Sequence, residues 1–137
     1  MSHLLDTNVC IALINGKPAS VLTRFLEAIT AGAKIFVPSI VIFELWYGVS
    51  KSSRVEANRQ LLQAFLAGPV IPLSFEDADG QVAGAVRAAL EKAGKPIGAY
   101  DLLIAGQALR HNLILVTANV SEFARIKGLA WQDWGKP

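Results

Sequence analysis

Short apolar runs alternate along this chain with longer stretches of helical periodicity. A strand followed by a helix and then another strand cannot close as a tight hairpin, so consecutive strands pair in parallel through helical crossovers. The strand candidates are His3 to Leu5, Lys34 to Val37, Val70 to Leu73, Leu113 to Val116 and a last edge strand, Leu129 to Trp131. Helical patterns run from Thr7 to Ile14, from a Ser20 N-cap to Gly32, and from a Ser39 cap to Gly48. A capping-box spacing, Ser53 with Glu56, opens a helix that ends before Gly68-Pro69. Ser74 starts another, with Ala78, Val82, Ala85, Val86 and Ala89 as its buried stripe, ending at Gly94. A further helix runs from Gly98 or Ala99 to His111, stopped by Asn112, and a short one from Val120 to Ile126. The pattern predicts an α/β fold, with a central, mainly parallel β-sheet of about five strands flanked by helices.

The 137 residues suit one domain spanning the whole chain, 1–137. An apolar fraction of 53% with 18% charged residues supports a packed core and excludes a disordered chain. The net charge of +2 permits an anionic partner without demanding one. Cys10 is the single cysteine, so no internal disulfide forms; within Val9-Cys10-Ile11 it reads as a buried, inert thiol. The start Met1-Ser2-His3 lacks a basic region followed by an apolar run, and no apolar run is long enough to span a membrane. The expectation is a cytoplasmic protein.

Most acids have ordinary surroundings. Glu27, Glu56, Glu76, Asp77, Asp79, Glu91 and Asp133 read as solvated helix faces, first turns or tail. Three do not. Asp6 directly follows Leu4-Leu5, Glu44 interrupts Ile40 to Trp46, and Asp101 precedes Leu102-Leu103-Ile104. A carboxylate drawn into apolar surroundings is costly unless it is paired or binds a metal, and several together repel one another. A divalent cation removes that conflict, and hard cations prefer oxygen ligands. The structural alternatives are N-caps for Asp6 and Asp101, and a buried ion pair of Glu44 with Arg24, Arg87 or Arg110. A further polar cluster, Thr117 to Phe123, follows a strand; it reads either as a loop with a cap from Asn119 or Ser121, or as Asn119 and Glu122 completing an acidic pocket. Thr117 and Ser39 can add hydroxyl hydrogen bonds there. His3 and His111 lie near a strand start and a helix end, which gives no support to a two-histidine mechanism.

Asp6-Thr7-Asn8 after an apolar strand, Pro38 to Gly48 with Glu44 inside, Asp101 to Ala105, and Thr117-Ala118-Asn119 with Glu122-Phe123 occur in one order along the chain. Together they resemble the PIN-domain ribonucleases, and among them the VapC toxins of toxin–antitoxin pairs. The resemblance implies a PIN-like fold and hydrolysis of an RNA phosphodiester, initiator tRNA being one such target. It implies catalytic roles for Asp6, Glu44, Asp101 and Glu122, with Asp6, Glu44 and Asp101 ligating Mg²⁺ or Mn²⁺. Thr7, Asn8, Ser39, Thr117 and Asn119 are supporting polar residues. Many relatives have an acid where Asn119 stands, so Glu122 ranks first for metal or water contact and Asn119 for orienting its neighbours. Such a cation polarises a phosphoryl oxygen and acidifies water.

RNA phosphates would meet Lys17, Lys51, Arg54, Arg87, Lys92 or Lys95, though each taken singly reads first as solvated surface. Trp46 and Tyr47 serve either the core or a partner or dimer surface. The resemblance further implies a VapB-like antitoxin, whose inserted Arg would suit an acid-lined pocket, and a homodimer. A second reading is a PIN-like module that binds RNA or protein without cutting, since Asn119 replaces an acid. A third, an aspartyl-phosphate enzyme using Asp6, lacks the second acid that such enzymes need, because position 8 is Asn8.

Overall fold

A computed structural model describes residues 1–136. The chain runs β1 (Ser2–Leu5), α1 (Thr7–Asn15), α2 (Ala19–Thr30), β2 (Lys34–Pro38), α3 (Ser39–Lys51), α4 (Val55–Leu66), β3 (Ile71–Leu73), α5 (Asp77–Lys92), α6 (Ala99–Arg110), β4 (Ile114–Val116), α7 (Val120–Phe123) and β5 (Trp131–Gln132). Five strands form one sheet in the order β3-β2-β1-β4-β5, and every pairing is parallel. The fold is therefore the α/β arrangement that the alternating pattern predicts. Leu4 and Leu5 on β1, Ile35 and Val37 on β2, and Leu115 and Val116 on β4 are all buried. Helices cover both faces of these central strands, so the strands read as unbroken apolar runs. The edge strands expose Ile71 and Trp131. No single helix among the described residues is long and apolar enough to cross a membrane.

Helix starts depart from the serine-based expectation. Pro18 and Pro38 hold the N-cap positions of α2 and α3, with extended backbone and no side-chain cap. Ser20 instead donates to the Gly135 carbonyl and Ser39 to the Leu73 carbonyl. Arg54, not Ser53, precedes α4, and Glu56 pairs with Arg59 rather than closing a capping box. Ser74 lies outside α5, whose capping box is made by Glu76 and Asp79. Helix stops follow the residue chemistry more closely. Gly16 ends α1 at φ 72°, and Asn112 adopts φ 54° after α6, conformations that glycine and asparagine tolerate best.

The buried face of α5 is also displaced from the expected stripe. Asp79, Ala83 and Leu90 are buried, whereas Ala85 and Ala89 are exposed. The cause lies in α6. A Cβ placed on Gly106 would come within 2.8 Å of the Ala83 Cβ and 3.0 Å of the Asp79 carbonyl oxygen. The two helices cross too closely for valine, so the face with alanine turns inward and carries Asp79 with it, one turn away.

Candidate active site

Strands β1 and β4 are neighbours, but the chain leaves β1 toward β2 and leaves β4 toward β5. The sheet order thus reverses between them, and in open parallel sheets a crevice opens at that point beyond the carboxyl ends. Asp6 leaves β1 there, with its amide still bonded to the Val116 carbonyl at 3.2 Å. Thr117 leaves β4 beside it. Asp6 is only 7% exposed and does cap α1, accepting the Val9 amide at 3.0 Å. Thr117 lies beside the same carboxylate and favours its charged form, and its hydroxyl accepts the Asn119 amide at 2.9 Å.

Glu44 sits inside α3, on the side that meets α1. It takes a 2.8 Å hydrogen bond from the Thr7 hydroxyl, and none of Arg24, Arg87 and Arg110 forms an ion pair with it. Asp101 lies in the first turn of α6 and is not its cap, which is Gly98. Its carboxyl lies beside that of Glu122, which pushes it up, and the Asn119 side-chain amide donates to Glu122 at 3.1 Å. Asp6, Glu44 and Glu122 thus lie near enough for their charges to act on Asp101, although among the described residues no three of these four acids bring ligand atoms within 4.8 Å of one another; Thr7 holds Glu44 and Asn119 holds Glu122. Asn8 is exposed on the rim. Ser39 is committed to β3 through Leu73 and does not reach into the pocket.

Electrostatically the pocket is strained. Burial pushes the Asp6 carboxyl above the usual range, Thr117 and Val9 counter it, and the Glu44 charge adds to the rise. The Asp101 carboxyl is raised to about 6, first by burial and then by the charges of Glu122, Asp6 and Glu44. A helix N-terminus favours a carboxylate, but burial and three like charges outweigh it here. None of the four acids is in an ion pair among the described residues. An open hollow of ≈ 370 Å³ over Glu44 and Asp101 is walled by Gly98, Ala99 and Tyr100, room enough for part of a ligand.

A second acidic group lies at the other end of α6. Ligand atoms of Glu76, Asp79 and His111 all lie within 4.8 Å of one another, spacing that a cation could use. Arg110 already occupies it, with its guanidinium on both Asp79 and Glu76 and His111 Nε2 3.5 Å from Asp79. Asp79, read from the sequence as a solvated acid, is wholly buried. The signal for it was Glu76-x-x-Asp79, a capping spacing made of acids. Of the basic residues expected to meet phosphates, Arg87 is paired with Glu91 at 3.0 Å. Lys17, Lys51, Arg54, Lys92 and Lys95 are exposed. Tyr100, on the wall of the hollow, was not singled out; an aromatic beside an acid at a helix start is the only trace of it in the sequence.

A family model described as PIN domain matches residues 3–129. The chain is 39% identical to the tRNA(fMet)-specific endonuclease VapC of Shigella flexneri, with 98% of each protein covered. It is 41% identical to ribonuclease VapC2 of Rickettsia felis, covering 99% of this chain and 100% of that protein. In three dimensions it matches the structure of VapBC2 from Rickettsia felis bound to a promoter DNA fragment, at TM-score 0.90 and 40% identity, over 98% of this chain and 99% of the other. FitAcB from Neisseria gonorrhoeae, at 24% identity and TM-score 0.77, shares the fold.

Proposed function

The chain belongs to the PIN-domain family, in its VapC toxin branch of ribonucleases, and from that premise we propose that Asp6, Glu44, Asp101 and Glu122 form its metal-dependent RNA-cleaving centre. One observation carries this reading. Four carboxylates of distant origin lie near enough for three of them to act on the fourth, Asp101, and none has a cationic partner among the described residues. Such an arrangement suits a hard divalent cation, because oxygen donors are all it offers and their repulsion is what the cation relieves. Asp6, Glu44 and Asp101 would hold Mg²⁺ or Mn²⁺, with Glu122 as the fourth carboxylate. That ion supplies charge to a phosphoryl oxygen and acidifies water.

The protein's own groups do the positioning. The Thr7 hydroxyl holds Glu44 and the Asn119 amide holds Glu122, while Thr117 favours the charged form of Asp6. The amide at position 119 therefore has a role as an orienting donor. Initiator tRNA is the substrate to test first, given the activity named for the Shigella relative. Purified protein should cleave it in Mg²⁺ or Mn²⁺ and stop on chelation. Asp6→Asn keeps the α1 cap, since asparagine caps as well as aspartate, but removes the charge. Loss of cleavage in that variant with an unchanged helical spectrum is the expected result. Parent-level cleavage would overturn the site.

As a toxin the chain would work in the cytoplasm with a VapB-like antitoxin. A groove of ≈ 250 Å³ lined by Ile11, Ile14, Leu45, Leu61 and Leu62 leads to Glu44. An amphipathic antitoxin segment lying there would deliver an arginine to the carboxylates, as a bidentate pair. Replacing that arginine should release cleavage from inhibition.

A further inference from the structure

Exposed aromatic rings are costly for a chain whose core is already well filled, and here they gather beside the acidic hollow. Tyr100 walls that hollow next to Asp101 and is 48% exposed. Phe43, adjacent to Glu44 in sequence, is 53% exposed and meets the Tyr100 ring edge-on, with centroids 5.9 Å apart at 84°. Tyr47 and Lys51 continue the same side of α3 at four-residue steps, and Lys51 Nζ lies 4.9 Å from the Tyr47 ring centroid. An edge-on contact fixes the two rings but uses at most one face of one of them, so a flat surface is left for a third ring.

We propose that Tyr100, braced by Phe43, is a stacking platform for an unpaired nucleobase next to the cleaved phosphodiester. This rests on the nuclease reading of the same pocket. The chemistry of the patch selects the occupant. Aromatic faces interleaved with a cation suit a nucleic-acid strand, whose bases stack while its phosphates meet the charge. A base within a duplex has both faces covered and cannot reach the ring. An apolar protein surface without a cation, by contrast, would be pressed against the Glu44 and Asp101 carboxylates. Lys51 stands farther along α3, where a neighbouring phosphate would lie.

The test uses the whole protein and a single-stranded oligoribonucleotide carrying 2-aminopurine, whose fluorescence is quenched by stacking on a ring. It is read in Ca²⁺, with intact RNA verified on a gel, for the parent, Tyr100→Ala and Tyr100→Trp. In parallel, KM and kcat are measured in Mn²⁺ on the single strand and on the same sequence as a duplex, and molecular mass is taken by light scattering. The parent should quench and Tyr100→Ala should not. Tyr100→Ala should raise KM roughly 5- to 150-fold, the worth of one base stack, with kcat little changed. Tyr100→Trp should restore both readings. The proposal is overturned if the parent does not quench, if Tyr100→Ala leaves KM unchanged, if the duplex is cut as well as the single strand, or if Tyr100→Ala acts by splitting a dimer. Quenching by a parent that cleaves nothing would uphold the platform and sink the nuclease reading instead.

Discussion

Helix α6 meets acidic side chains at both its ends, under opposite conditions. At its first turn Asp101 faces Asp6, Glu44 and Glu122 with no ion-pair partner for any of them among the described residues, and its carboxyl rises to about 6. Nine residues on, a distance of roughly 13 Å along the axis, Arg110 sits between Asp79 and Glu76. Asp79 is fully buried, yet the guanidinium beside it satisfies its charge within the fold. The far end is complete without a ligand. The near end is left with repulsion that folding alone does not relieve, as expected where a carboxylate set serves chemistry rather than stability. Proximity of acids is therefore a poor guide to a metal centre; the absence of a built-in counter-charge discriminates better.

The comparison breaks first at activity. Asp101→Ala should lower RNA cleavage on the order of a thousandfold, several kcal/mol of lost transition-state stabilisation, while circular dichroism shows a folded protein. An equal loss from Asp79→Asn, measured per folded molecule, would erase the distinction between the two ends. Stability should respond the other way round. Arg110→Met strips a buried carboxylate of its partner and should lower the melting temperature by several degrees, whereas Asp101→Asn removes repulsion and should leave the metal-free protein at least as stable; scanning calorimetry of both reads the contrast.

A smaller effect sharpens the picture of the pocket itself. Asn119→Ala frees Glu122 and should weaken Mn²⁺ binding about 10- to 100-fold, the usual cost of losing an orienting partner, as measured by titration calorimetry. The smallest effect is that of pH. A folded Asp101 keeps its proton to about pH 6, whereas an unfolded aspartate releases it near pH ~3.9. Between those values the folded state binds more protons, so metal-free stability should fall as pH rises through the window. Saturating Mn²⁺ should flatten that slope, because the ion favours the ionised form. Melting curves at several pH values, with and without Mn²⁺, test both statements, and a slope of opposite sign would contradict the raised carboxyl.

Much of this was readable in one dimension. The alternation of apolar runs and helical stretches determined a parallel α/β sheet, because crossover connections leave strands no other way to pair. Asp6, Glu44 and Asp101 stood out because each carboxylate adjoins residues that must be buried, and burial of charge has to be accounted for. The serine caps misled, since a proline can set the same backbone without a side-chain bond, and the inward face of α5 was decided by a glycine on another helix.

Only the tertiary structure could separate the acids that have a partner from those that have none. Asp79 looked solvated until Gly106 drew its helix close and brought Arg110, 31 residues away, onto it. Glu122 and Asn119 became part of one pocket only when β4 settled next to β1. Electrostatic satisfaction depends on distances of a few ångströms between residues far apart in the chain, and sequence carries no such distances; it specifies which residues must be buried, and packing decides what each of them meets there.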